Sequence, residues 1–197
     1  MKGLIAVALL CLTVALTPGI GRTDDVTDQI NEGLKAYKAK DLETSIMALD
    51  TAASLIRQQK AEGLTRFLPS PLPGWQANDA ESSYAGNAMM GGGINATRTY
   101  TLETGDKYQE VTISISSDSP MMQTLAMMFS NPMFAGGNKI MIIDGRKVMQ
   151  DKDNNSLQTM IANKVLVEVD GSDDTDAATV KQYLQSVPLD QIEKSVK

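Results

Sequence analysis

Residues 139–169, KIMIIDGRKVMQDKDNNSLQTMIANKVLVEV, decide the fold class of this chain. The stretch holds four β-prone segments, at 139–143, 146–150, 157–162 and 165–169. Short turn-forming sequences separate them, namely Asp144-Gly145, residues 153–155 and Asn163-Lys164. Asp-Gly between two apolar runs is typical of a two-residue hairpin turn. All three connections are too short for the crossover that parallel strands require, so the four strands are predicted to be antiparallel.

The same pattern extends upstream of this stretch. Residues 96–102 and 108–116 alternate between apolar and polar side chains, and a turn at 104–106 separates them. A helix is predicted from Ser119-Pro120 to about Ser130, a second from about 174–176 to Ser186, and a short third after Pro188. Residues 75–197 are therefore predicted to form an α+β domain, an antiparallel sheet flanked by helices.

Residues 23–67 are predicted to form a helical hairpin that precedes this sheet. Its two apolar stripes follow helical spacing and are expected to bury each other or a third surface. They comprise Val26, Ile30, Leu34 and Tyr37 in the first helix, and Leu42, Ile46, Leu49, Ala53 and Ile56 in the second. Residues 32–37 with 40–42 and Ala48 are similar to one tetratricopeptide unit. A single unit cannot form a solenoid, so a docked or protruding hairpin is favoured.

The proline-rich segment 68–74 separates the hairpin from the sheet. Its alternate prolines favour an extended path, as a spacer or as a ligand for an aromatic groove. Trp75 is expected to pack into the core where the first strand begins.

Residues 1–22 are typical of a signal peptide. Lys2 precedes an apolar run from Leu4 to Leu16, which at 13 residues is too short to span a bilayer. The only cysteine, Cys11, lies inside this run after Leu10, a context that does not fit lipidation. The mature chain is therefore expected in the periplasm or secreted, without a disulfide and without a stable membrane anchor.

Charge and composition restrict the function further. The chain has 18 basic and 24 acidic residues, a net charge of −6, and no run of Lys or Arg, so nucleic acid is not an expected partner. It contains no histidine, and with no mature cysteine it lacks Ser-His-Asp and Cys-His catalysis and ordinary zinc sites. We therefore predict a protein that is not an enzyme and needs no cofactor.

A carboxylate-type hydrolase is one alternative, because Asp170, Asp173, Asp174 and Asp176 lie close together. A solvated loop and a helix cap explain these acids better. Residues 151–155 resemble the start of a calcium loop, but Ser156 and Ala162 replace the Gly and Glu of that motif, which favours a β-turn. The glycine-rich stretch 86–93 lacks the Lys-Ser/Thr of a P-loop.

Methionine is unusually abundant, with 12 residues in all. Three interpretations remain open: core packing, an adaptable partner surface, and soft ligands for Cu(I). The Cu(I) carrier, a second alternative function, would use Met121, Met122, Met127, Met128 and Met133. The partner surface would comprise Met89, Met90, Met127, Met133 and Phe134.

The helical hairpin, residues 72–75 (LPGW) and residues 127–132 (MMFSNP) together resemble a group of uncharacterised bacterial exported proteins. The order of elements also looks like the Mog1/PsbP-type fold. That likeness implies an accessory or binding role, because many members of the fold act in this way. The expected function is that of a non-enzymatic accessory or binding protein of the bacterial envelope, with an envelope protein as its partner. The sequence does not determine the oligomeric state.

Overall fold

The computed structural model describes residues 22–85, 93–105 and 107–196. The predicted signal peptide with Cys11, and the predicted contact residues Met89 and Met90, lie outside the described residues. The helices are α1 (Arg22–Lys38), α2 (Leu42–Leu64), α3 (Met122–Ser130), α4 (Ala177–Ser186) and α5 (Leu189–Val196). The strands are β1 (Gln76–Ala77), β2 (Glu81–Ala85), β3 (Gly93–Thr104), β4 (Lys107–Ser117), β5 (Lys139–Ile143), β6 (Arg146–Gln150), β7 (Ser156–Ile161) and β8 (Val165–Gly171).

The predicted α+β class is confirmed, because two helices precede an eight-stranded antiparallel sheet that carries further helices. The strand order is β1-β3-β4-β8-β7-β6-β5, and β2 also pairs with β3. The described chain divides into two compact units between Ala52 and Ala53, which lie within α2. This boundary differs from the predicted one, which placed the whole hairpin, 23–67, apart from the sheet.

The first unit holds α1 and the beginning of α2, which contact each other through small residues. Gly33, Ala36, Ser45 and Ala48 are buried, and the Ser45 hydroxyl donates a 2.9 Å hydrogen bond to the Gly33 carbonyl oxygen. A Cβ atom on Gly33 would lie 2.8 Å from Leu49 Cγ, so glycine permits the close approach. Asp41 caps α2 as predicted, accepting a 3.1 Å hydrogen bond from the Thr44 amide.

Of the two outcomes predicted for the large apolar stripes, burial against each other is wrong, and burial against a third surface stays a prediction. Ile30, Leu34 and Tyr37 on α1 are 42%, 49% and 64% exposed. Leu42, Ile46 and Leu49 on α2 are likewise exposed. The helices meet on the neighbouring small residues instead, because two backbones approach most closely where the side chains are smallest.

The second unit has its main core on one face of the sheet. Alternate residues of the central strands point there, including Ile113, Ile115, Val167 and Val169, all with 0% exposure. Tyr183 and Leu184 of α4 and Ile192 of α5 cover them, together with Ala61 and Leu64 from the end of α2. A smaller cluster on the opposite face holds α3 against the sheet through Phe129, Ala135 and Met149.

The proline-rich segment is part of the second unit and does not act as a detached spacer. Leu68 is buried and Leu72 packs against the main core. Two tyrosine hydroxyls form hydrogen bonds with this segment. Tyr100 donates to the Pro69 carbonyl oxygen at 2.8 Å, and Tyr183 accepts from the Leu72 amide at 3.4 Å. Trp75 lies partly buried with its ring edge-on to Tyr183, at a centroid distance of 5.3 Å.

Other predicted elements differ from the structure in their bounds. Helix α3 begins at Met122 rather than at Ser119-Pro120, although the Ser119 hydroxyl still accepts a hydrogen bond from the Met121 amide. The last tight turn is centred on Ala162 and Asn163, both with positive φ, one residue before the predicted turn. Across residues 22–85, 93–105 and 107–196, none of the helices combines the length and apolarity needed to span a bilayer.

Candidate functional site

The most prominent candidate site is an exposed apolar surface on the helical hairpin, hereafter the apolar face. Its six residues are Ile30, Leu34 and Tyr37 of α1 and Leu42, Ile46 and Leu49 of α2, each between 42% and 64% exposed. Successive residues of an α-helix are rotated by about 100° around its axis. Each exposed stripe follows the buried small residues by one position, as Leu34 follows Gly33 and Ile46 follows Ser45.

This offset places both stripes on the same side of the hairpin. The two helices run in opposite directions. Seen along the hairpin axis, the one-residue step from the buried residues to the exposed stripe is therefore a clockwise rotation on one helix and an anticlockwise rotation on the other. The stripes therefore converge into one continuous surface. Six half-exposed apolar side chains offer on the order of 500 Å² of apolar area, a size typical of functional patches on monomeric proteins.

The opposite side of the hairpin is polar. It carries Asp25, Asp28, Glu32 and Lys35 on α1 and Thr51 on α2, all exposed. Residues 22–52 hold seven carboxylates against four basic side chains. The hairpin is thus amphipathic in cross-section, and residues 22–52 carry a net negative charge.

Comparisons of the chain with protein-family models, curated proteins and solved structures find no match. The function is therefore argued from the geometry of this chain.

The predicted methionine surface is exposed as far as the structure describes it. Met127, Met133 and Phe134 are 57%, 88% and 62% exposed. Met133 and Phe134 lie in a short 3-10 helix, Pro132–Phe134, directly after α3. The Asn131 carboxamide oxygen orders this turn by accepting a 3.0 Å hydrogen bond from the Met133 amide. Met89 and Met90, the other two predicted members, lie outside the described residues.

The five methionines considered as Cu(I) ligands are distributed over different environments. Met122 is buried, Met128 packs partly buried against the smaller cluster, and Met121, Met127 and Met133 are exposed. Met121 and Met127 are separated by about 9 Å along the helix axis and by about 120° around it. Helix geometry therefore does not direct all five thioethers to one ion. A Cu(I) site stays a prediction, and it would have to use fewer than these five methionines.

Two of the four acids considered for a hydrolase, Asp170 and Asp176, lie in different local environments. Asp176 caps α4 by accepting a 2.8 Å hydrogen bond from the Thr179 amide, and this bond lowers the pKa of Asp176. Partial burial raises the pKa of Asp170, and the nearby charge of Asp151 raises it further. The Asp151 carboxylate accepts hydrogen bonds from the backbone amides of Asp153 and Asn154, which fits the predicted β-turn. Among the described residues, no group of three or more His, Cys, Asp or Glu could hold a metal ion.

A cavity of about 350 Å³ between β5, β6 and the α4–α5 junction contains two further acids. Arg146 donates to Asp190 at 2.5 Å and to Glu193 at 2.9 Å. Asp144 accepts a 2.9 Å hydrogen bond from the Gln185 side chain. The Arg146 contacts hold α5 against the sheet, and the Asp144 contact joins the β5–β6 turn to α4, which explains the acids as structural groups.

Proposed function

We propose that this chain is a non-enzymatic binding protein of the bacterial envelope. Its apolar face docks an amphipathic helix of an envelope protein. The observation that carries the proposal is the pairing of one exposed apolar side with one polar side on the same hairpin. In helix-in-groove recognition, an amphipathic helix places its apolar face into a groove between helices of its partner.

A partner of opposite charge is favoured over a second copy of this chain. Two copies that met on their apolar faces would bring two acidic hairpins together. Like charges opposed across an interface cost free energy, whereas complementary charges favour association and fix its orientation. The expected partner segment is therefore an amphipathic helix flanked by lysine or arginine.

The segment of Met127, Met133 and Phe134 supplies a second contact in this proposal. Exposed methionine side chains adapt their shape to a partner, since the side chain is unbranched and the sulfur is polarizable. An exposed phenylalanine beside them supports the same use. The two surfaces are proposed independently, so each can be removed without the other.

The binding test uses two synthetic helical peptides with the same leucine face. One carries lysine on its polar face and the other carries glutamate. Calorimetric titration of the mature chain is expected to show binding of the basic peptide at least about tenfold tighter than the acidic one. Leu34→Glu or Ile46→Glu should abolish binding of the basic peptide, while Thr51→Glu on the polar side, which adds the same charge, should preserve it.

The contrary outcomes are equally concrete. Equal binding of both peptides, or binding unchanged by Leu34→Glu, would refute the docking role of the apolar face. Sedimentation velocity distinguishes self-association, because the proposal expects a monomer at micromolar concentration. A dimer that dissociates on Ile46→Glu would assign the face to a second copy instead.

Export is a separate part of the proposal. The mature chain is expected to begin after the apolar run at residues 4–16, between about residues 17 and 24. Intact-mass measurement of the protein from the envelope fraction checks this. Recovery of a chain that still contains residues 1–16 would contradict cleavage.

A further inference from the structure

The methionines that the structure describes differ widely in how far solvent reaches their side chains. Met121, Met127 and Met133 are 54%, 57% and 88% exposed. Met122 and Met149, by contrast, are 7% and 3% exposed. The three exposed residues lie within α3 or within three residues of its ends, so accessible thioethers are concentrated in one short segment. These three residues are hereafter the exposed α3 methionines.

The exposed α3 methionines do not hold the fold together. In the described part of the chain, none of them belongs to either of the two hydrophobic clusters. The segment is instead anchored by Phe129 and Ala135, which pack with Met149 in the smaller cluster. Backbone hydrogen bonds order the turn after α3, where the Phe134 amide donates to the Asn131 carbonyl oxygen at 2.9 Å. A chemical change confined to the exposed thioethers is therefore compatible with the folded structure.

Few other side chains compete with these thioethers for an oxidant. The sequence contains no histidine, and its single cysteine, Cys11, lies in the apolar run that export is proposed to remove. Trp75, the single tryptophan, is partly buried with its ring edge-on to Tyr183. Oxidation converts the apolar thioether of methionine into a polar sulfoxide, and methionine sulfoxide reductases reverse the change. An oxidant that meets the mature chain is therefore expected to react first at exposed methionines.

We infer that the exposed α3 methionines are an oxidation site for peroxides, with Met133, the most exposed of the three, reacting first. The thioether sulfur attacks one oxygen of hydrogen peroxide, and the O–O bond breaks. The sulfur keeps that oxygen as a sulfoxide, while the other oxygen leaves as hydroxide. The proton of the transferred oxygen passes to this hydroxide and gives water. The sulfur loses two electrons and the peroxide gains two, so the step balances.

The expected consequence is a change in surface chemistry on a preserved fold. Sulfoxides on Met127 and Met133 place polar oxygens on the same segment as the exposed Phe134, which makes this surface less apolar. Enzymatic reduction restores the thioethers, so the change is reversible. Its effect on a partner rests on the second contact proposed above, whereas the reactivity and the preserved fold do not.

The test treats the folded mature chain with hydrogen peroxide at neutral pH and follows each methionine by peptide mass spectrometry. Met133 should gain oxygen at least about tenfold faster than Met149, because peroxide reaches a buried sulfur only when the structure opens locally. Met121 and Met127 should react at intermediate rates, and so should Met47, which is 63% exposed on α2. In concentrated urea all of them should react at similar rates, since the fold no longer protects any.

Two leucine variants are matched controls, because leucine replaces methionine with little change in volume. Met133→Leu should remove the fastest-reacting site and leave the rates at Met121 and Met127 unchanged. Met149→Leu should leave all of the fast oxidation unchanged, since it removes a buried sulfur. The urea midpoint of the parent chain should be the same before and after Met133 is oxidised. Methionine sulfoxide reductases of both stereospecificities should then restore the original mass without unfolding the chain.

Equal oxidation rates at Met133 and Met149 in the folded chain would overturn the inference. A urea midpoint that falls as Met133 is oxidised would also overturn it, as would a Met133 sulfoxide that the reductases do not remove from the folded chain. The helical-peptide test of the apolar face involves no oxidant, so failure of either test leaves the other result standing.

Discussion

The Tyr100 hydroxyl donates a 2.8 Å hydrogen bond to the Pro69 carbonyl oxygen and so fixes the proline-rich segment to the central sheet. Tyr100→Phe is expected to reduce the free energy of unfolding by about 1–2 kcal/mol, because the Pro69 oxygen keeps only a 3.5 Å contact with Arg98. Urea denaturation followed by Trp75 fluorescence measures the loss. Tyr37→Phe is the matched control and should change stability by less than about 0.5 kcal/mol, since Tyr37 is 64% exposed.

Alkaline pH should weaken the same region of the core. Burial raises the pKa of Tyr183 to about 12 from an ordinary value of 10.0, and burial raises the pKa of Tyr100 in the same direction. A raised pKa means that the neutral phenol is favoured in the folded state. The stabilisation is therefore complete below pH 10 and is lost as the pH rises through about 12.

Denaturation midpoints measured from pH 9 to 12 should fall progressively over this range, as phenolate absorbance appears. Tyr183→Phe should flatten the dependence. A midpoint that stays constant up to pH 12 in the unmodified chain would contradict the burial of the two phenols.

Two helical glycines differ in the space around them, so their substitution by alanine should affect stability differently. A Cβ on Gly63 meets nothing within 4 Å, so Gly63→Ala should gain about 0.5–1 kcal/mol from helix propensity. A Cβ on Gly33 would lie 2.8 Å from Leu49 Cγ. Gly33→Ala should therefore gain less than Gly63→Ala or destabilise the chain, and Gly33→Leu should clearly destabilise α1 and α2. Thermal unfolding followed by far-ultraviolet circular dichroism compares the three variants. Equal gains for the two alanine variants would mean that the helices are not in close contact at Gly33.

The N-cap of α4 should contribute a measurable and pH-dependent share of stability. Asp176 accepts hydrogen bonds from the Thr179 amide at 2.8 Å and the Thr179 hydroxyl at 2.9 Å. Asp176→Ala should cost about 1 kcal/mol, whereas Asp176→Asn should keep most of the cap.

The pH dependence of this cap follows from the lowered pKa of Asp176. Its ionised form is favoured in the fold, so the contribution is present above the ordinary value of 3.8 and is lost as the pH falls through the folded value. Urea midpoints of the parent and Asp176→Asn chains should therefore converge in acid. A constant difference between them down to pH 2 would be inconsistent with this cap.

Much of the sheet could be predicted because its turns have specific backbone requirements. Asp144 and Gly145 have φ values of 48° and 76°, as a type I′ hairpin turn needs, and β5 and β6 end where the sequence predicts. Strand β2, Glu81–Ala85, was not predicted, because it lacks alternating large apolar residues and is held by pairing with β3.

The candidate sites were harder to predict than the strands. The spacing of large apolar residues locates a stripe on each helix. It does not show whether that stripe or the adjacent stripe of small residues faces the other helix. In this hairpin the small residues Gly33, Ala36 and Ala48 decide that question, and their spacing was the available signal.

The measurement that most directly tests the docking role of the apolar face is photo-crosslinking in living cells. A photoreactive phenylalanine derivative at Leu34 or Ile46 is expected to yield the same adduct, mapped by mass spectrometry to an amphipathic, basic helix of another envelope protein. The same group at Thr51 should not yield it. Equal adducts from all three positions, adducts only between copies of this chain, or no adduct from Leu34 and Ile46 would contradict the proposal.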